Sequence, residues 1–254
     1  MPLSSFMNNK DELQKLISSI IKFGVGFVQN VPPTLSATER VIQQVADVQR
    51  TFFGDMWEFS SNSMDHYDTA YTSNSLGAHT DGTYFSEAPG LQVLHCLDHD
   101  GEGGETLLVD GFRAAKDLLN LHPDSYKRLS STPLEAEYFE PGKHYSNVGY
   151  VLNHHPITKE LQQIRFNLYD RSSFSTIPQE HVADIYADLQ NLAQVIKDSE
   201  GEWWIKLSPG TVMFIDNWRV LHGRAAYTGH RKIGGCYQSR ADFLSVARGL
   251  GVLL

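Results

Sequence analysis

Several things are scarce in this 254-residue sequence. There are two cysteines, Cys96 and Cys236. That number excludes a disulfide framework and a cysteine-based zinc site, and it makes a reducing compartment the default. No apolar run approaches the roughly 20 residues that cross a bilayer. The first residues, MPLSSFMNNKDELQKL, lack a basic region followed by an apolar one and are not Arg-rich. No secretory or organellar signal is evident, so the cytoplasm is the expected location. Positive charge is also short: 21 Lys and Arg stand against 30 Asp and Glu, a net charge of −9. Nucleic-acid binding rests on neutralising phosphates with Lys and Arg, and this balance argues against it. Repeats, low-complexity tracts and disordered linkers are missing too. A small molecule is therefore the expected partner, with no nucleic acid and no membrane.

What is present reads as one globular unit. Apolar residues make up 41% and charged residues 20%, ordinary for a folded domain. The length fits a single domain over residues 1–254. Leu13, Leu16, Ile17, Ile20 and Ile21 recur at helical spacing, with Asn8 or Asn9 as cap. A strand-like GFVQNV follows. Ser36-x-x-Glu39 then reads as a capping box opening a second helix, whose apolar face would hold Val41, Val45, Val48 and Phe52. From Leu91 onward the chain carries short β-forming runs: LQVLHCL, ETLLVDG, WWIKL, GTVMFID and KIGGCYQS. A long amphipathic helix interrupts them, with Val182, Ile185, Tyr186, Leu189, Leu192 and Ile196 inward, and ADFLSVARGL closes the chain as a helix. Scattered short strands with helices at the edges predict a mainly β fold, a sandwich or jelly roll with helical buttresses.

The chemistry lies in SLGAHTDGTYF, at Ser75–Phe85. His79-x-Asp81 puts an imidazole and a carboxylate two residues apart, a spacing at which a strand end points both the same way. Alone, the pair is as compatible with a polar turn as with a metal site. His222, in IDNWRVLHGR, supplies a second imidazole far along the chain. Two His and one carboxylate occupy one face of an octahedral metal and leave the other face open, as in non-haem Fe(II) oxygenases. Nine residues further on, Arg231 can grip a carboxylate with both arms of its guanidinium. Thr106, in GGET, can add a hydroxyl to the same acid. Singly, each has a bland reading as a surface charge or a β-branched strand residue. Together with the triad they describe a 2-oxoglutarate site.

This order of motifs resembles the taurine dioxygenase-like Fe(II)/2-oxoglutarate oxygenases. AYTSNSLGAHTDGTYF, GLQVLHCLDHDGEGGETLLVDGF, FNLYDR and MFIDNWRVLHGR are similar, more narrowly, to the trimethyllysine dioxygenase and γ-butyrobetaine dioxygenase branch. The trimethyllysine side is nearer, and the likeness runs from about Gly24 to the C-terminus. It implies a double-stranded β-helix core, His79, Asp81 and His222 as iron ligands, and Thr106 and Arg231 on 2-oxoglutarate. It also implies Fe(II) as cofactor, 2-oxoglutarate and O2 as co-substrates, and hydroxylation coupled to formation of succinate and CO2. Many relatives carry an N-terminal Cys/His zinc domain, which two cysteines cannot build. In larger relatives that domain is associated with dimerisation, so the resemblance allows a homodimer without requiring one.

The branch holds quaternary ammonium groups against aromatic faces, since such groups offer no hydrogen-bond donor. The resemblance assigns that role to Trp57, Tyr71 and Tyr237, with Phe53 where the butyrobetaine enzyme has Tyr, and Tyr84 as a further wall. Core packing is the competing fate of each. Asn167, in RFNLYDR, is expected to contact the other end of the substrate, and Asp216 and Asn217 to orient the site. The stretch from Glu137 to Asn153 is a candidate lid. The expected reaction is conversion of Nε-trimethyllysine to its 3-hydroxy product, as in carnitine biosynthesis. The alternatives are the same chemistry on γ-butyrobetaine or another cationic or free amino acid and, more remotely, a non-catalytic metal-binding jelly roll.

Overall fold

The computed structural model describes residues 1–60, 72–198 and 200–253. Two antiparallel sheets face each other. The larger runs in the order β1 (Val25–Val28), β11 (Val212–Asp216), β4 (Leu91–His99), β13 (Arg231–Gln238) and β2 (Trp57–Ser60). The smaller runs β10 (Glu202–Ile205), β5 (Thr106–Asp110), β12 (Val220–Arg224) and β3 (Leu76–His79). Two separate hairpins complete the strands: β6 (Leu134–Glu140) with β7 (Lys143–Gly149), and β8 (Leu152–His154) with β9 (Leu161–Ile164).

Helices cover both outer faces. Against the five-stranded sheet pack α1 (Leu3–Phe6), α2 (Lys10–Phe23), α3 (Leu35–Ile42) and α7 (Arg240–Gly249). Over the four-stranded sheet lie α4 (Gly111–Leu121), α5 (Pro123–Ser131) and α6 (Gln179–Ile196). The strands are therefore apolar on both faces, which is why LQVLHCL and VMFID read as continuous runs rather than alternations. Alternation still sorts the side chains. On β11, Val212 and Phe214 point out to the helices, while Met213 and Ile215 point into the sandwich. On β12, Leu221 points out and Val220 in. That parity turns Gln92, Thr106, His222 and Arg224 inward.

The elements largely follow their local signals. Asn9 caps α2, accepting from the backbone N–H of Asp11 and Glu12, and Gly24 ends the helix in the left-handed region at φ 79°. The second helix differs from the sequence reading. Thr34, not Ser36, is its cap, and the helix stops at Ile42, so Val45, Val48 and Phe52 do not share its face. Phe52 instead joins an aromatic cluster with Tyr84, Tyr138 and Tyr145. Tyr186 on α6 is also turned outward, beneath the Arg171 guanidinium, where a phenol keeps its polar end wet. Glu137–Asn153 is no open loop but spans most of the β6–β7 hairpin and its exit.

Candidate active site

Strand ends from both sheets converge at one end of the sandwich. His79 closes β3 and lies directly opposite His222 on β12, ring centroids 4.5 Å apart. The His79 Nδ1–H donates to the Gly77 carbonyl at 2.8 Å, which leaves its Nε2 lone pair facing inward. Asp81 follows in the turn, where Gly82 adopts φ 69° and a Cβ would meet Phe85 and Pro89 at 2.8 Å. Asp81 Oδ1 is 3.3 Å from His79 Nε2 and 3.5 Å from His222 Nε2. One ligand atom from each of the three lies within 4.8 Å of the others.

Electrostatics favour a cation there. Burial opposes ionisation of Asp81, but the facing imidazoles outweigh it and hold the carboxyl well below its usual range. For His79, burial is outweighed by the hydrogen bond and charge of Asp81, and its pKa rises; for His222, burial prevails and its pKa falls. The backbone of Asp81 is fixed by Asn217, whose Oδ1 accepts its N–H at 2.8 Å and whose Nδ2 donates to its carbonyl at 3.1 Å. Asp216 does not reach the site; its carboxylate is taken by Arg240 and the Trp218 N–H.

Beside the triad is a cationic end. Arg231 begins β13 and is 5% exposed, yet its guanidinium makes no hydrogen bond or ion pair among the described residues. Its guanidinium rests over Tyr227 at 5.5 Å. Burial, with the charge of Arg224 added, pushes its pKa down to about 10. A buried cation with free donors is costly unless an anion completes it. Thr106, buried at the start of β5, lies opposite Arg224. Arg224 also lies against the Tyr227 ring, at 5.0 Å, and donates to the Thr72 and Asn74 carbonyls.

Aromatic rings close the other side of a cavity of about 270 Å³. Trp57 stands 5.4 Å from Phe59 and 5.8 Å from Tyr237. Phe53 and Tyr84 meet Tyr138 of the β6–β7 hairpin at 6.0 and 5.2 Å. Asn167 lines the cavity, its Nδ2 bonded to Asp170 and its Oδ1 to the Tyr169 N–H. Of the residues singled out in the sequence, His79, Asp81, His222, Thr106, Arg231, Trp57, Tyr237, Phe53, Tyr84 and Asn167 all line this one cavity. Tyr71 lies outside the described residues. Gln92 and Arg224 line it as well and were not singled out. Arg224 was within reach, because it sits two residues after His222 and so shares its face. Gln92 is, with His95, one of two polar residues inside the otherwise apolar run LQVLHCL.

The opposed antiparallel sheets, with their buttressing helices, form a double-stranded β-helix. Solved structures share that fold: a taurine dioxygenase from Burkholderia xenovorans (TM-score 0.69, 16% identity, 90% of this chain and 81% of that one) and AAD-2 in complex with Mn(II) and N-oxalylglycine (TM-score 0.69, 14% identity, 90% and 89%). Residues 1–237 match the family described as taurine catabolism dioxygenase TauD, TfdA family, and the chain belongs to it. Curated relatives include trimethyllysine dioxygenase, mitochondrial, from Rattus norvegicus, 46% identical over 97% of this chain and 59% of its own length. The Homo sapiens protein of the same name is 45% identical over 98% and 60%. Gamma-butyrobetaine dioxygenase from Homo sapiens is 29% identical over 84% and 55%. The chain thus spans about three-fifths of the length of the trimethyllysine dioxygenases it matches.

Proposed function

We propose that this protein is an Fe(II)- and 2-oxoglutarate-dependent hydroxylase of a trimethylammonium amino acid, with Nε-trimethyllysine as substrate and its 3-hydroxy derivative as product. The observation that carries the reading is a buried Arg231 with no anionic partner among the described residues, in the same cavity as the His79, Asp81 and His222 donors. The donor set suits iron: two neutral imidazole nitrogens and one carboxylate oxygen. In this reading those three hold Fe(II), Arg231 grips the distal carboxylate of 2-oxoglutarate, and Thr106 donates its hydroxyl there. Arg224 adds positive charge beside it. Trp57, Tyr237, Phe53 and Tyr84 wall the quaternary ammonium, to which rings offer attraction without a hydrogen bond. Asn167 faces the amino-acid end. When bound, iron with 2-oxoglutarate and O2 supplies the oxidative decarboxylation that drives hydroxylation of a substrate C–H. The protein's share is to orient both partners and to keep water out.

The sequence likeness to trimethyllysine dioxygenases supports the substrate, and the aromatic wall supports its charge. The test is anaerobic binding of Fe(II) and 2-oxoglutarate. Oxygen is then admitted with trimethyllysine and γ-butyrobetaine in parallel, and succinate and substrate mass are read together. One oxygen gained on trimethyllysine, matched by succinate, is the expected result. Stoichiometric hydroxylation of γ-butyrobetaine alone would move the protein to the other side of the branch, and no succinate with any ligand would remove the oxygenase reading. A cytoplasmic location belongs to this reading, supported by two cysteines that are buried free thiols. The rat and human relatives are named mitochondrial, and fractionation of the native source decides between the two.

A further inference from the structure

Tyr237 does more than a cage wall requires. Its hydroxyl donates to Asp81 Oδ2 at 2.8 Å. Gln92 Nε2 donates to the same oxygen. The two residues are direct cross-strand partners on β13 and β4, both turned into the sandwich and both more than nine-tenths buried. Asp81 comes from the opposite sheet, so the pair reaches across the sandwich to hold it. Two donors occupy Oδ2, while Oδ1 alone faces the imidazole Nε2 atoms. With its backbone pinned by Asn217, the carboxylate is fixed at both ends.

We infer that Gln92 and Tyr237 are positioning residues that hold Asp81 as a one-oxygen metal ligand. The inference rests on the reading of His79, Asp81 and His222 as the metal set. A carboxylate free to turn can bind a metal through both oxygens and take up an extra position. One held by Oδ2 cannot do so without breaking a buried hydrogen bond. The clamp therefore keeps three protein atoms on one side of the ion and the rest of its positions open. Because the Tyr237 ring is also 5.8 Å from Trp57, a cation seated on that wall rests against the residue that aims the ligand.

The test removes each donor and keeps each shape, in Tyr237→Phe and Gln92→Met. Co(II), a visible-absorbing stand-in for Fe(II), is titrated into the metal-free full chain, reading affinity and spectrum, and thermal unfolding of the metal-free protein is followed alongside. Partners that orient a metal ligand typically cost about 10–100-fold in metal affinity when lost. A loss of that order is expected in each variant, with a changed Co(II) spectrum and a metal-free midpoint near wild type. In an Asp81→Ala background, Tyr237→Phe should have no further effect on Co(II) affinity. Wild-type affinity and spectrum in Tyr237→Phe would overturn the inference, as would an equal loss in the Asp81→Ala background. If Gln92→Met fails to fold, Tyr237→Phe decides alone. Should the wild-type protein itself bind no Co(II), the metal reading beneath falls first, so the two failures are distinguishable.

Discussion

His79 and Asp81 each aim a ligand atom at the same point, and neither is replaceable by an uncharged stump. His79→Ala or Asp81→Ala should abolish succinate formation and sharply weaken Co(II) binding without removing it, read by turnover and Co(II) titration; full activity in either would sink the triad. Arg231 acts differently in the proposed reading, where it would grip the co-substrate rather than the ion. Arg231→Ala should raise the concentration of 2-oxoglutarate needed for half-maximal turnover by roughly 10- to 100-fold, the scale of a lost charge-assisted pair, with metal affinity unchanged. An unaltered 2-oxoglutarate dependence would mean that another group, Arg224 first, holds the acid. Trp57→Ala should weaken trimethylammonium ligands more than neutral isosteres of equal size, since a ring face distinguishes them by charge. Equal loss for both would leave Trp57 a packing residue.

Among the elements, β13 carries the tightest constraint. Trp57 on β2 pairs with Gly235, and a Cβ at Gly235 would collide with the Val93 carbonyl and the Trp57 ring. Gly235→Ala should destabilise the protein by about 1–3 kcal/mol, as overpacking does, and impair trimethylammonium binding along with it, measured by denaturant unfolding and ligand titration. The same strands show what the sequence makes legible. Helix α2 is evident because its apolar spacing, its Asn9 cap and its Gly24 stop agree. β4, β5, β11 and β13 are evident because they read as short, largely apolar runs bounded by turns. The cap of α3 was misplaced because Thr34 and Ser36 are both competent caps, and only the packing of Val41 and Ile42 fixes the phase. The Asp81 clamp is not legible in the sequence because Gln92 and Tyr237 are 145 positions apart and meet only through strand register. His79, Asp81 and His222 were legible because their residue types are rare in combination; Gln92 carries no such mark.

At the scale of the whole molecule, metal and acid should each move stability. An ion that binds the folded state alone stabilises it by mass action, about 2.7 kcal/mol at a hundredfold excess over Kd. Thermal unfolding should therefore shift upward on adding Fe(II) or Co(II) and return on chelation, and should shift far less in Asp81→Ala at the same metal concentration. Acid acts elsewhere, through His95. This fully buried residue on β4 bonds Thr38 of α3 through Nδ1, and burial pushes its pKa down to about 4. In the unfolded chain it takes up a proton near 6.5. As pH falls the unfolded state binds that proton first, so the stability from neutral His95 is whole above about 6.5 and disappears as pH drops towards 4. The loss amounts to about 3 kcal/mol at most. Denaturant unfolding between pH 7 and pH 4.5 should fall less steeply in His95→Gln than in wild type; parallel curves would clear His95 of the effect.

The cavity is assembled from two kinds of chain. His79, Thr106, His222 and Arg231 stand on sheet strands locked by register. Phe53, Tyr84, Tyr138 and Asn167 come from turns and from a hairpin that forms its own small sheet. Substitutions in the second group should leave the register of the two large sheets untouched, whereas those in the first act on strands that hold both the site and the fold. Inheritance could thus vary the molecule that is recognised while the strand-borne groups are passed on unchanged, and a breeder of new specificities should begin with the hairpin.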